Sequence, residues 1–156
     1  MRRISFFVAL AVAVCLFLVA SVSAQQRGTA WEAKNMVKKA IAYIKANDQE
    51  KAFVEINNPS GLFVDRDMYI TVIDMNGKCL ARGFNPDLLG KDLTELKDPD
   101  GKFFIKERIE MAKTKGSGWQ NYKFTDPITK NVEPKTAYFE KYGDIIVMCG
   151  TYMPDK

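Results

Sequence analysis

Apolar positions repeat at helical spacing in two segments that follow a long apolar run near the start of the chain. Residues 31–46 carry apolar side chains on one face and most of their lysines on the other, which predicts an amphipathic helix. Asp48 can cap a second helix over residues 49–56, which the breakers at residues 57–61 end. The apolar face of the first helix consists of Val37, Ala40, Ile41 and Ile44.

Strand patterns follow in two groups. Residues 68–74 are rich in β-branched and aromatic residues, and Asn76-Gly77, a dipeptide typical of tight hairpins, joins them to a returning strand over residues 79–83. Three more strands are predicted over residues 119–124, 135–142 and 145–152. Side chains alternate within residues 135–142, so Tyr138 and Phe139 are expected on opposite faces of the sheet.

The segment between the two groups of strands is mixed. Residues 84–101 are rich in turn-forming dipeptides, with short helical turns expected near residues 86–89 and 93–96. A longer helix is predicted over residues 103–115, ended by Gly116. Its buried side is predicted to consist of Phe104, Ile105, Arg108, Ile109 and Ala112. This order predicts an α+β fold, with an antiparallel sheet of about five strands, a long N-terminal helix, and helices between the second and third strands.

The first 24 residues have the pattern of a secretory signal peptide. Arg2 and Arg3 precede an apolar run over residues 4–20, and Val22-Ser23-Ala24 offers small residues where a signal peptidase reads them. The alternative is an uncleaved membrane anchor, for which about 20 apolar residues are needed. We expect a signal peptide over residues 1–24, a flexible leader over 25–30 and one domain over 31–156. The cleaved protein would be periplasmic or secreted, without a membrane span.

Charge and composition exclude several functions. The chain has 23 basic and 19 acidic residues, and removal of Arg2 and Arg3 leaves 21 − 19 = +2. A nucleic-acid-binding protein usually carries a stronger basic patch. The absence of histidine excludes Ser-His and Cys-His catalytic pairs and most zinc sites. We therefore expect neither a catalytic residue, a metal site nor a cofactor, and we expect the protein not to be an enzyme.

Five stretches of the chain carry a pattern that recurs in a known family. They are residues 63–69, 78–86, 96–102, 113–119 and 127–152, the last of which includes Glu133-Pro134-Lys135. In this order they resemble the single Cache family, whose extracellular domains are PAS-like. Arg82 departs from the pattern, because relatives often carry histidine at this position. The resemblance implies a PAS-like fold and a sensory module that binds a small organic molecule, often a carboxylate or an amine.

The resemblance also implies where the ligand lies, namely between one face of the sheet and the helical connection above it. Such pockets are largely apolar, with a few convergent polar groups that orient the ligand. Tyrosine and tryptophan suit this role because each joins a large apolar body to one hydrogen-bonding tip. Simple core packing is the alternative explanation for each of them. The candidate aromatic walls are Tyr69, Phe104, Trp119, Tyr122 and Tyr138.

Cationic side chains are the candidates for holding a carboxylate. Lys135 lies at the start of a predicted strand, and Arg82 and Arg66 are alternatives because a guanidinium can bind a carboxylate with two parallel hydrogen bonds. Arg66 ranks third, since the flanking Asp65 and Asp67 can neutralise it or could themselves hold a cationic amine. We expect a small organic acid as the ligand.

The sequence leaves open the signalling partner and two alternative functions. No second apolar run precedes the last residue, so a signal is expected to pass to a separate, membrane-bound signalling partner. A protein-interaction or structural module, with side chains filling the pocket, is the main alternative. A thiol redox protein is a weaker one, because Cys79 and Cys149 lack the close spacing of thiol oxidoreductases.

The same two cysteines raise the question of a disulfide. An oxidising compartment permits one between Cys79 and Cys149. A PAS-like sheet, however, places the first strand between theirs, which separates the Cα atoms by about 10 Å. Disulfides need roughly 4.4–6.8 Å. We therefore expect two free thiols.

Cleavage of the signal peptide is directly testable. We expect protein from its native host to begin at Gln25 and to be soluble outside the cytoplasm, because the small residues at 22 and 24 follow the apolar run directly. N-terminal sequencing of that protein measures this. A start at Met1 in the membrane fraction would show that the run is an anchor.

Overall fold

The computed structural model describes residues 26–153, so the predicted signal peptide over residues 1–24 lies outside the described residues. Three helices and seven strands follow one another in the order expected for an α+β fold. The elements are α1 (Ala30–Ala46), α2 (Gln49–Asn57), β1 (Val64–Asp65), β2 (Met68–Tyr69), β3 (Thr71–Asp74), β4 (Cys79–Arg82), a 3-10 helix (Pro86–Leu88), α3 (Phe104–Lys115), β5 (Ser117–Thr125), β6 (Val132–Tyr142) and β7 (Ile145–Tyr152).

Side-chain caps decide where the first two helices begin. Thr29 and Glu32 form a capping box at α1, in which each side chain accepts a hydrogen bond from the other residue's backbone N–H, at 3.2 and 2.8 Å. Asp48 caps α2 by accepting from the Lys51 N–H at 2.8 Å, as its sequence position predicted. Gly116, with a φ of 74°, follows the last residue of α3.

Five strands form one antiparallel sheet in the order β4-β3-β7-β6-β5. The predicted hairpin is confirmed: β3 pairs with β4, and Gly77 takes the positive φ of 90° that the turn requires. The strand predicted over residues 68–74 is split at Ile70, because Met68 and Tyr69 pair with β1 in a separate two-stranded sheet. Strand β7 is the central strand of this sheet, between β3 and β6.

A different core lies on each face of the sheet. Helices α1 and α2 pack on one face, and α3 with the connection before it packs on the other. Tyr138 belongs to the first core and Phe139 to the second, which confirms the alternation predicted along β6. On β7, Val147 and Cys149 face α1, whereas Ile146 and Met148 face α3.

The connection between β4 and α3 is held against the sheet by backbone hydrogen bonds. The Cys79 N–H donates to Lys91 and the Leu93 N–H donates to Gly77, both at 2.9 Å. The 3-10 helix confirms the helical turn expected near residues 86–89, but residues 93–96 form only one turn, closed by a 3.1 Å bond from Leu96 to Leu93. These contacts place the Leu93 and Leu96 side chains over the sheet.

The segment before α1 is fixed by contacts instead of forming the expected flexible leader. Arg27 pairs with the fully buried Asp126 and, at 2.9 Å, with Glu133. The Gly28 N–H donates to the fully buried Asp67 at 2.6 Å. Buried carboxylates need donors, and this segment supplies them. No local sequence pattern indicates such partners, because they come from distant parts of the chain.

Cys79 and Cys149 are free thiols, and β3 lies between their strands as expected. Cys79 faces the α3 core, while Cys149 faces the α1 core with its Sγ 3.6 Å from the Met36 sulfur. Burial raises the pKa of both thiols, that of Cys149 to about 12. Two buried thiols with raised pKa values on opposite faces do not support thiol redox chemistry.

This arrangement predicts the labelling behaviour of protein that lacks residues 1–24. Iodoacetamide at pH 8 should leave folded protein unmodified, since buried thiols with raised pKa values are rarely thiolates. Unfolding in denaturant without reductant should allow both cysteines to react, as mass spectrometry would show. Two cysteines that resist labelling after unfolding would mean that they are bridged and that the strand order is different.

Candidate functional site

A small cavity lies between the sheet and α3, where the notable feature is the number of cations that face it. Its volume is about 30 Å³, room for a water molecule or two. Residues from the sheet form the floor, and α3 with the connection forms the roof. The lining residues are Tyr69, Thr71, Arg82, Leu93, Leu96, Phe104, Ile105, Arg108, Tyr122, Phe124, Lys135, Ala137, Met148, Cys149 and Gly150.

Small residues on the central strands make the space on the floor. Ala137 on β6 pairs directly with Gly150 on β7. A Cβ atom at Gly150 would lie 2.6 Å from the Thr136 carbonyl oxygen and 2.8 Å from Cε of Lys135. Glycine is therefore required here, because any side chain would displace the Lys135 stem.

Lys135 is buried at the end of the cavity, with 3% of its surface exposed. Its Nζ donates to the Tyr152 hydroxyl at 3.1 Å and lies 4.0 and 4.4 Å from the ring centroids of Tyr69 and Tyr152. The Tyr152 hydroxyl in turn donates to the Thr125 carbonyl at 2.6 Å. Two aromatic faces and one hydroxyl thus hold the ammonium in place.

The two tyrosines beside Lys135 have opposite pKa shifts. Burial alone raises the pKa of Tyr69, but the positive charges of Lys135 and Arg82 outweigh it and leave that pKa below its ordinary value. Burial raises the pKa of Tyr152, and the neighbouring Tyr69 adds to the rise. The lowered pKa of Tyr69 shows how strongly positive this end of the cavity is.

Arg82 adds a second cation from β4. It is 5% exposed, its Nε donates to the Phe84 carbonyl, and its guanidinium carbon lies 5.6 Å from the Tyr69 ring centroid. The Arg82 N–H donates to the Asn57 side chain at 2.8 Å, which ties this end of β4 to α2. Arg82 and Lys135 therefore lie beside the same tyrosine ring.

Arg108 reaches the cavity from α3 and is fully buried. Its Nη1 contacts the sulfur of Met148, a weak acceptor, and its guanidinium carbon lies 5.1 Å from the Tyr122 ring centroid. Its Nε and Nη2 have no hydrogen-bond partner in the part of the chain that the structure describes. These two nitrogens share one edge of the guanidinium, and that edge matches the two oxygens of a carboxylate.

None of these three cations forms an ion pair with a carboxylate in the part of the chain that the structure describes. Within residues 26–153, none of the ion pairs involves Arg82, Arg108 or Lys135. Burying a charge without an opposite charge is costly, and aromatic faces offset only part of that cost. Unpaired guanidinium and ammonium groups of this kind are donors that suit an anionic group.

The structure brings together most of the candidates named from the sequence. Lys135, Arg82, Tyr69, Tyr122 and Phe104 all line the cavity. The ring of Tyr122 stacks on that of Phe104 with their centroids 4.4 Å apart.

Trp119 and Tyr138 do not line this cavity. They pair across β5 and β6, on the face that packs against α1, with ring centroids 5.2 Å apart. Trp119 is 41% exposed, and Lys34 of α1 lies over the Tyr138 ring. Strand alternation is the reason. Trp119 lies three positions from Tyr122 and Tyr138 lies three positions from Lys135, and residues an odd number of positions apart on one strand face opposite ways.

Arg66 also lies outside the cavity. It pairs with Asp65 and with Glu32 of α1, both at 2.7 Å, and donates to the Arg27 carbonyl at 2.9 Å. Hydrogen bonds from Arg66 and Thr29 lower the pKa of Glu32 to about 2. Local neutralisation by Asp65, considered above as the alternative role of Arg66, is what the structure shows. Asp67 points elsewhere, toward backbone N–H groups.

Among the charged and aromatic residues that line the cavity, Arg108 and Phe124 are the two that are not among the candidates named from the sequence. Arg108 was placed on the buried side of its helix but was not considered as a ligand-binding residue. A charged residue on the apolar face of an amphipathic helix is itself the signal that could have identified it, since such residues are rarely buried unless they have a partner. Phe124 carries no comparable signal.

The sequence matches the family described as Single Cache domain 2 over residues 11–156. The chain belongs to the single Cache family. A solved structure described as the periplasmic sensor domain of a chemotaxis protein is similar to this chain, with a TM-score of 0.63 at 24% identity, covering 78% of this chain and 88% of that one. Among residues 26–153, no group of side chains could hold a metal ion, and no helix is both long and apolar enough to cross a membrane.

Similar proteins include chemotaxis receptors. The methyl-accepting chemotaxis protein McpP of Pseudomonas putida KT2440 is 32% identical over 94 residues, which is 58% of this chain but only 17% of that protein. A methyl-accepting chemotaxis protein of Vibrio parahaemolyticus has a TM-score of 0.69 at 22% identity, covering 80% of this chain and 88% of that one. A Cache chemosensory domain described for its carboxylic acid recognition has a TM-score of 0.67 at 24% identity, covering 78% and 91%. These structures share the PAS-like Cache fold.

The unbalanced charge of Arg108 predicts an unusual effect on stability. Replacing it with methionine, which has similar length and no charge, should leave the free energy of unfolding of ligand-free Cache domain unchanged or raise it by roughly 1–3 kcal/mol. Chemical denaturation measures this. Arg66→Met is the matched control. Its free energy of unfolding should fall by at most about 1 kcal/mol, because the ion pairs of Arg66 are near the surface. A loss of several kcal/mol in Arg108→Met would instead show that Arg108 stabilises the fold.

Proposed function

We propose that this Cache domain is an extracytoplasmic sensory module that binds a small organic acid in the cavity beneath α3. The observation that carries the proposal is the convergence of three buried cations, Arg82, Arg108 and Lys135, on a cavity that holds no balancing carboxylate among residues 26–153. An anionic ligand supplies the missing charge, and the free edge of Arg108 supplies two aligned donors for it.

The size of the cavity supports a short ligand. A volume of about 30 Å³ is far below the several hundred Å³ of drug-sized pockets. Aromatic rings from Tyr69, Phe104 and Tyr122 surround the charged groups and limit how far an aliphatic chain can extend. Acids of a few carbons fit these walls best.

An amine ligand is disfavoured by the same geometry. Aromatic faces are what an amine-binding site would use, but the faces of Tyr69 and Tyr152 are already occupied by the ammonium of Lys135, at 4.0 and 4.4 Å. A second cation there would repel Lys135 and Arg82. The similar domain described for carboxylic acid recognition is consistent with this choice.

The signalling part of the proposal rests on the family. Single Cache domains serve chemotaxis receptors, and we propose that ligand binding here is passed to a membrane-bound signalling partner. A module that binds only proteins, with its cavity filled by its own side chains, is the competing function and is an outcome of the test below.

Removing the charge of Lys135 should weaken binding of a carboxylate. We expect thermal shift to find stabilisation by short carboxylates such as acetate, propionate or malonate, but not by propylamine or propionamide. For a carboxylate so found, calorimetry on Lys135→Ala and Lys135→Met should show binding weakened about ten- to a hundredfold, because a charge-assisted hydrogen bond of roughly 1.5–3 kcal/mol is lost. The methionine variant keeps the side-chain volume, so it separates charge from packing.

Lys141→Ala is the matched control, since Lys141 lies on the same strand but is exposed. It should bind as the wild type does. Stabilisation by the amine alone, or wild-type affinity for the carboxylate in both Lys135 variants, would contradict the carboxylate assignment. If none of the compounds shifts the melting temperature, the protein-interaction function is the better explanation.

A further inference from the structure

Positive charge in the cavity lies at two separate places. Lys135 and Arg82 come from the sheet and flank Tyr69, with Nζ 4.0 Å and the guanidinium carbon 5.6 Å from its ring centroid. Arg108 comes from α3 and lies over Tyr122, at 5.1 Å. We call these the sheet pole (Lys135 and Arg82) and the helix pole (Arg108).

Aromatic rings separate the two poles. Both cations of the sheet pole lie 5.9 Å from the ring centroid of Phe124, and that centroid is 6.2 Å from the centroid of Tyr122, which carries the helix pole. A ligand with an acceptor group at each end could place one group at each pole.

One carboxylate cannot balance the whole cavity. A single negative charge on Arg108 leaves the sheet pole with two cations, and a single charge on the sheet pole leaves the free edge of Arg108 buried without a partner. Leaving a buried charge or donor unpaired costs binding energy that a second acceptor would recover. A ligand with two negative charges gives each pole a carboxylate and leaves one of the three positive charges, at the sheet pole, in contact with aromatic rings only.

Arg82 strengthens the requirement for a second negative charge. A guanidinium stays protonated at every physiological pH. The charge at the sheet pole is therefore permanent in this chain. Its Nε is engaged by the Phe84 carbonyl, which fixes the guanidinium plane beside Tyr69.

We propose that the ligand of this cavity is a short dicarboxylate dianion, with one carboxylate on the free edge of Arg108 and the other against Lys135 and Arg82. This inference rests on the proposed function and narrows its ligand class. Because the cavity of about 30 Å³ is smaller than any dicarboxylate, the lining side chains must move apart to admit one, and the shortest dianions, of two or three carbons, require the least movement.

Matched pairs that differ in one charge test the inference. Oxalate and oxamate have the same number of non-hydrogen atoms, as do malonate and malonamate, and in each pair the second compound has an amide in place of one carboxylate. Calorimetry in metal-free buffer should show that each dianion binds the wild-type domain at least tenfold more tightly than its monoamide. This is a difference of about 1.4 kcal/mol in binding free energy. Propionate measures binding of a simple monocarboxylate.

Variants of Arg82 then locate the second carboxylate. Arg82→Gln should reduce the preference for malonate over malonamate to about twofold or less, whereas Arg82→Lys, which keeps the charge, should retain most of it. Arg66→Gln, outside the cavity, should leave the preference unchanged. Melting curves establish that each variant is folded, and the wild-type comparison of matched pairs needs no variant.

The outcomes separate this inference from the proposed function. If propionate or the monoamides bind the wild type as tightly as the dianions do, the dicarboxylate assignment is overturned and carboxylate sensing stands. If Arg82→Gln keeps the full preference, Arg82 does not contact the second carboxylate and the proposed placement against Lys135 and Arg82 is overturned. If no carboxylate binds at all, both proposals fail together.

Discussion

Positive charge buried under α3 is the constraint on which the cavity side of this domain depends. Arg82, Arg108 and Lys135 are all nearly inaccessible to solvent, and each is held by something other than a carboxylate. Lys135 has two tyrosine rings and a hydroxyl, Arg108 has the stacked pair of Phe104 and Tyr122, and Arg82 has a backbone carbonyl. Such partners orient a cation without neutralising it, so the protein keeps its donors aligned for a charge that comes from outside.

The other face of the sheet has a different character. Helix α1 covers it with a continuous apolar core in which Val37, Ala40 and Ile44 pack against strand residues such as Val147. Cations contribute there only at the margin, as Lys34 does over the Tyr138 ring. The apolar core on the α1 face stabilises the fold, whereas the buried cations on the α3 face lower its free energy of unfolding. Binding sites in proteins often have such a cost in stability.

Local sequence patterns predicted most of the fold and part of the candidate site. The hairpin at Asn76-Gly77, the ends of α3 and the succession of helices and strands along the chain follow from turn chemistry and periodicity, which act between near neighbours in the chain. The same alternation should have excluded Tyr138 as a neighbour of Lys135, because residues three positions apart on one strand face opposite ways. Contacts of Arg27 with Asp126, or of Gly28 with Asp67, were out of reach, since they join residues 99 and 39 positions apart without any local pattern.

Asp67 has a mechanical consequence. Its two oxygens accept from the Gly28 N–H, at the entry to α1, and from the Tyr152 N–H, at the end of β7. Any displacement of one end of the described chain relative to the other therefore has to move the hydrogen-bond donors of this one buried carboxylate. Tyr152 also accepts the hydrogen bond of Lys135, so the residue that connects the end of β7 to Asp67 is in contact with a cation of the cavity as well.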